Sequence, residues 1–171
     1  GPSKDYLIEG AWVVGGDPDI MEISMQEGAE WYQEEGADIN ETLSLAFQRA
    51  FESGKSALFL PGDLPFLKPG DLYGLLGASE YLKNITLAPA RHGGGTNAIL
   101  VVPGLPKPFY PQLGPNSFRR HLAQAASVGL SMSIYDSPGL GFDLDTFEDF
   151  KAYEYMEPGL LRKLTETEST E

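Results

Sequence analysis

The chain has 171 residues, 42% hydrophobic and 22% charged, with no cysteine and a formal net charge of −13. That size suits one domain with a sizeable core, and the composition excludes a disordered chain, a disulfide framework, thiolate metal ligation and a thiol nucleophile. No apolar run approaches the ~20 residues that span a bilayer and no signal peptide opens the chain, so a cytoplasmic protein without a membrane partner is expected. The acidity also argues against nucleic acid, whose phosphates the overall field would repel.

Hydrophobic runs alternate with amphipathic stretches, the pattern of a mostly parallel sheet covered by helices. Gly1-Pro2-Ser3 reads as a cloning remnant. Gly10–Val14 is predicted as a buried strand, Asp19–Glu27 as a helix ended by Gly28, and Ala29–Gln33 as a short strand. Asn40 is expected to cap a helix through Ser53, with Leu43, Ala46, Phe47 and Ala50 at helical spacing. Ala57–Leu60 is the clearest strand. Pro69–Glu80 then reads as a helix, and Ile85–Pro89 and Ala98–Val102 as strands. Five prolines between Pro103 and Pro115 demand an irregular connection. Ser117–Val128 is predicted helical, Leu130–Tyr135 extended and Thr146–Tyr155 helical. A short helix after Pro158 should fray into a disordered Thr/Glu tail over 165–171. With no repeat and no linker, residues 1–171 form a single domain.

Charge is unevenly distributed. Between Lys83 and Tyr135 there is no Asp or Glu, and that window carries +5 against −18 for the rest of the chain. Chance and a glycine- and proline-rich loop account for this, but a cationic face that receives an anion fits it better. Inside the window lie Arg91-His92-Gly93-Gly94-Gly95-Thr96-Asn97 and Gly114-Pro115-Asn116-Ser117. Glycines let backbone N–H groups approach an anion, Arg91, Thr96 and Asn97 add donors, and the second segment opens a helix with its positive dipole end. A plain turn, or Ser117 as an N-cap only, fits these residues as well.

Outside the window are two acidic motifs. Asp63 follows the Ala57–Leu60 strand in Pro61-Gly62-Asp63-Leu64-Pro65, where ligands of open α/β sheets bind. Asp143 and Asp145 are separated by one residue in an extended segment and so point to the same side. Close like charges call for a cation between them, and oxygen ligands suit magnesium or manganese. Turn or helix-capping roles fit Asp63 and Asp145 too.

These four segments, with His121-Leu122 and Glu148-Asp149, occur in the order found in the 2-phospho-L-lactate and phosphoenolpyruvate guanylyltransferases of coenzyme F-420 biosynthesis, which the chain resembles from Gly10 to Tyr155. The resemblance implies a Rossmann-like, three-layer nucleotidyltransferase fold of the nucleotide-diphospho-sugar transferase type, α/β with a mostly parallel mixed sheet. It implies that Asp63, Asp143 and Asp145 bind the metal and serve catalysis. Thr96, Gly114 and Ser117 would hold the acceptor phosphate, assisted by Asn97 and Arg91, and Asn40 and Gly62 would lie on the nucleotide side. GTP is then a co-substrate, and GMP passes to phosphoenolpyruvate or 2-phospholactate with release of pyrophosphate. Expected partners are these small molecules, with a second copy or a downstream enzyme of the pathway also compatible. Transfer of another nucleotide or to another phosphorylated acceptor, and a non-catalytic phosphate binder, are the competing readings. Nothing before Tyr6 matches the strand and basic loop with which such proteins open. This chain is therefore expected to bind the acceptor without forming the guanylylated product.

Overall fold

A computed structural model describes residue 10 and residues 12–15, 18–26, 30–33, 39–62, 64–79 and 83–142. The predicted helices at Thr146–Tyr155 and after Pro158, and the tail, lie outside the described residues, as do Asp63, Asp143 and Asp145.

The elements follow the predicted order. They are β1 (Trp12–Gly15), α1 (Pro18–Gln26), β2 (Glu30–Gln33), α2 (Ile39–Glu52), β3 (Ala57–Phe59), α3 (Pro69–Ala78), β4 (Ile85–Pro89), β5 (Thr96–Val101), α4 (Ser117–Ser127), β6 (Met132–Ile134) and α5 (Pro138–Gly141). Proline opens α1, α3 and α5, where its missing N–H costs no helical hydrogen bond. One bound shifts in a way that matters: Asn40 lies one residue inside α2 rather than ahead of it. The helical turn α5 is not among the predicted elements.

β1 and β2 pair in parallel as a two-stranded sheet. The larger sheet has the order β3-β5-β4-β6. β5 is antiparallel to both neighbours and β4 is parallel to β6, so three of the four strands share a direction. The sheet is mixed, as expected, and two of its three pairings are antiparallel. β4 and β5 occupy its centre, which is why their sequences are near-continuous apolar runs.

Each face of this sheet carries its own core. On one face Ile85, Leu87, Ile99 and Val101 pack with Phe47 and Ala50 of α2 and Ala125 of α4. On the other, Ala88 and Ala98 pack with Leu75 of α3 and Leu140 of α5, joined by the partly buried Leu58, Leu60 and Leu64. The register between β4 and β5 shifts where Ala88 faces Ala98 but Pro89 faces Thr96, leaving Asn97 as the extra residue of a bulge. A bulge breaks the alternation of side chains. Thr96 consequently turns toward α4, while Asn97 turns toward α5 together with Ala98.

Candidate active site

The carboxyl ends of β3 and β4, the start of β5 and the segment after β6 meet at one end of the sheet, where open α/β folds bind ligands. Two polar constellations stand there, on opposite faces of the start of β5.

Toward α4, Thr96 Oγ1 lies 2.9 Å from Ser117 Oγ and 2.9 Å from His121 Nδ1. Ser117, His121 and Ala125 form the buried stripe of α4 at the spacing of one helix face. Thr96 is 7% exposed, and Ser117 and His121 are fully buried. The far nitrogen of the imidazole, Nε2, accepts the backbone N–H of Gln112 at 2.8 Å. Burial, assisted by the neighbouring Arg120, lowers the His121 pKa to about 4, and the Phe109 ring packs 5.6 Å away. The imidazole is neutral at physiological pH.

The start of α4 is bound differently from the expectation of free N–H groups. Asn116 N donates to Gly93 O, Phe118 N to Gly94 O and Ser117 N to Gly114 O, so the glycine-rich turn caps this helix with its carbonyls. Gly94 has φ +63°, and a side chain there would press on Asn116. The close approach of turn and helix therefore requires glycine. Gly114, with φ +134°, lies beside Arg120, whose guanidinium donates to the carbonyls of Pro115 and Gln112.

Toward α5, Asn97 Nδ2 donates to Leu140 O at 2.8 Å, and the backbone N–H of Arg91 donates to Gly141 O at 2.7 Å. The Arg91 guanidinium stacks over the Phe142 ring at 4.3 Å. Residues 138–142 thus cross the end of the sheet from β6, past β4, to β5. Gly139 sits so close to the Asp71 carboxylate and the Phe66 carbonyl that a methyl group has no room. Leu60 and Leu64 pack against the core cluster to which Leu140 belongs. Residues 138–142 and the segment after β3 therefore border the same core. A groove of about 560 Å³ runs between Ala90–Arg91 and the 136–142 segment.

The remaining expected residues fall at the same end. Gly62 is exposed just beyond β3. Asn40 is paired to the proline-rich connection, its Oδ1 accepting Leu113 N at 2.6 Å and its Nδ2 donating to Leu113 O at 3.3 Å. It lines a second groove with Glu41, Tyr110, Gln112 and Arg120. Sequence reasoning gave His121 no catalytic role and read it as a packing or anion-contacting residue; its place one turn after Ser117 puts it on the same helix face. It missed Gln112, whose contribution is a backbone N–H that no side-chain pattern reveals. It also passed over Asp136, a carboxylate just past the carboxyl end of β6 that lines the Arg91 groove. Among the described residues no group of three His, Asp or Glu side chains is placed to hold a metal, and no helix is long and apolar enough to cross a membrane.

Comparison with known proteins agrees with this architecture. A crystal structure from Desulfovibrio desulfuricans G20, described as a nucleotide-diphospho-sugar transferase, superposes with a TM-score of 0.66 at 18% identity, covering 88% of this chain and 67% of that one. The phosphoenolpyruvate guanylyltransferase of Rubrobacter xylanophilus is 36% identical over 143 residues, 83% of this chain and 69% of the relative. The 2-phospho-L-lactate guanylyltransferase of Methanothermobacter thermautotrophicus is 31% identical over 83% of this chain and 62% of its own length. The 3-phospho-D-glycerate guanylyltransferase of Phenylobacterium zucineum is 32% identical over 83% of this chain and 65% of its own. The family description "Guanylyl transferase CofC like" matches residues 5–157. The chain belongs to the CofC-like guanylyl transferase family.

Proposed function

We propose that this chain serves guanylyl transfer from GTP to a small phosphorylated carboxylic acid, with phosphoenolpyruvate as the acceptor, in coenzyme F-420 assembly. An acceptor phosphate oxygen attacks the α-phosphorus of GTP, the bond from that phosphorus to the bridging oxygen breaks, and pyrophosphate leaves. The observation that supports this reading is the core cluster holding Leu140, with Leu60 and Leu64 packed against it, at the end of the sheet where Thr96 meets Ser117 and His121. Asp63, Asp143 and Asp145 would hold magnesium or manganese, which neutralises the triphosphate when bound. Asn97 and the Arg91 backbone fix the turn that leads into Asp143. Thr96, Gly114 and Ser117 would receive the acceptor phosphate, and Arg91, whose guanidinium stacks over Phe142, adds positive charge at the same end of the sheet. This positions two anions whose mutual repulsion is the main barrier, and it needs no general base because the attacking phosphate is already ionised. The three relatives' named acceptors each combine one phosphate with one carboxylate; the distance between those groups separates 3-phosphoglycerate from the other two, which differ in the saturation of the carbon that bears the phosphate. The reading goes with a cytoplasmic protein that binds only small molecules.

The test is calorimetric titration with phosphoenolpyruvate, 2-phospholactate and 3-phosphoglycerate in the presence of magnesium. Saturable binding, tightest for phosphoenolpyruvate and weakened in Thr96→Val, is the expected result. Binding of none of the three overturns the proposal.

A further inference from the structure

Thr96, Ser117 and His121 have between them a countable set of protons. The Gln112 backbone N–H donates to His121 Nε2. A ring nitrogen that accepts a hydrogen bond carries no proton, so the neutral imidazole bears its proton on Nδ1. Across the 2.9 Å contact His121 is therefore the donor and Thr96 Oγ1 the acceptor. The Thr96 proton is turned away from the ring. Two hydroxyl protons remain, and the Thr96–Ser117 hydrogen bond uses one of them whichever residue donates. One proton is left over. In the other tautomer Thr96 would donate to Nδ1 and Ser117 to Thr96, and the pair would have nothing to offer an anion.

We infer that His121 is a positioning residue for the acceptor: fixed in its Nδ1–H form by the Gln112 backbone, it makes the Thr96–Ser117 hydroxyl pair a net hydrogen-bond donor to a phosphate or carboxylate oxygen. This rests on the reading of Thr96 and Ser117 as the acceptor site. Thr96 alone of the three keeps exposed surface, at the head of β5. Where Ser117 as well as His121 donates to its oxygen, the proton left over is Thr96's own, on the one hydroxyl of the pair with exposed surface, and donation into a hydroxyl polarises it for onward donation. Burial of the imidazole keeps it in the neutral form that this arrangement needs.

Two measurements test the inference on the 171-residue chain. The ring nitrogen shifts of His121 by NMR, with only His92 to distinguish from it, should report the Nδ1–H tautomer, and an Nε2–H tautomer overturns the inference. Phosphoenolpyruvate affinity is then compared by calorimetry across His121→Asn, His121→Leu, Thr96→Val and the Leu/Val double variant. His121→Asn, whose amide nitrogen takes the place of Nδ1, should stay within about threefold of the parent, whereas His121→Leu should lose about tenfold or more, as expected for one hydrogen bond to a charged ligand. The double variant should bind no more weakly than Thr96→Val, because His121 acts through Thr96. Additive losses would make His121 a support of the fold only. If His121→Leu does not fold, the tautomer and His121→Asn decide. Parental affinity in Thr96→Val sinks the acceptor-site reading itself, whereas weakened Thr96→Val beside unchanged His121→Leu sinks only the role of His121.

Discussion

Acidification should destabilise this chain through a single imidazole. His121 has a folded-state pKa of about 4 against an ordinary 6.5, lowered first by burial and then by Arg120. Between those values the unfolded state binds more protons than the folded state, so stability rises with pH across the window. The contribution is fully present above about pH 6.5 and is lost as pH falls toward 4. Over the whole window it is worth roughly 3 kcal/mol, of which about 2 kcal/mol disappears between pH 7 and pH 5. For a chain of this length that is a fall in Tm of about 4–8 °C. Carboxylates also begin to titrate near pH 5, so the assay compares the parent with His121→Asn, which keeps a hydrogen-bonding group but does not titrate. Thermal unfolding at pH 7, 6 and 5 at constant ionic strength should give a steeper acid slope in the parent. Parallel profiles for the two proteins would refute the reasoning and mean that the imidazole is solvated in the folded state.

Three further outcomes follow from the site. Gly139→Ala should destabilise by about 1–3 kcal/mol in denaturant titration, since its methyl group runs into the Asp71 carboxylate and the Phe66 carbonyl, whereas Gly141→Ala meets open space and should be near neutral. Asn97→Ala leaves the buried Leu140 carbonyl without this donor and should cost about 1–3 kcal/mol, with faster amide exchange over residues 138–142 as the local readout. Asp143→Asn and Asp145→Asn should each weaken magnesium or manganese binding by calorimetry while Tm holds or rises, because removing one of two close like charges relieves repulsion; unchanged metal affinity would remove these residues from the site.

The sequence by itself determined the element order, because the apolar runs of β4 and β5 and the period of α2 and α4 are local signals of burial. Proline at Pro18, Pro69 and Pro138 and glycine at Gly54 and Gly129 mark breaks for equally local reasons, a fixed φ or a positive one. It also singled out Thr96 and Ser117, through glycine content and the absence of acidic residues nearby. Only the tertiary structure decided which contacts those residues make. The bulge at Asn97 depends on how β5 registers against β4, and it puts the adjacent Asn97 and Ala98 on the same face, which no periodicity encodes. At the start of α4 the backbone N–H groups of Asn116 and Phe118 donate to Gly93 and Gly94, residues more than twenty positions earlier in the chain. The proton on His121 is set by the backbone of Gln112 in the proline-rich connection, where side-chain chemistry carries no information. That residues 138–142 and the segment after β3 border one core rests on Leu60 and Leu64 packing against the cluster that holds Leu140. Local sequence fixes which segments become strands and helices; which segments then share a core is settled by long-range packing, because only the folded sheet brings their apolar faces together.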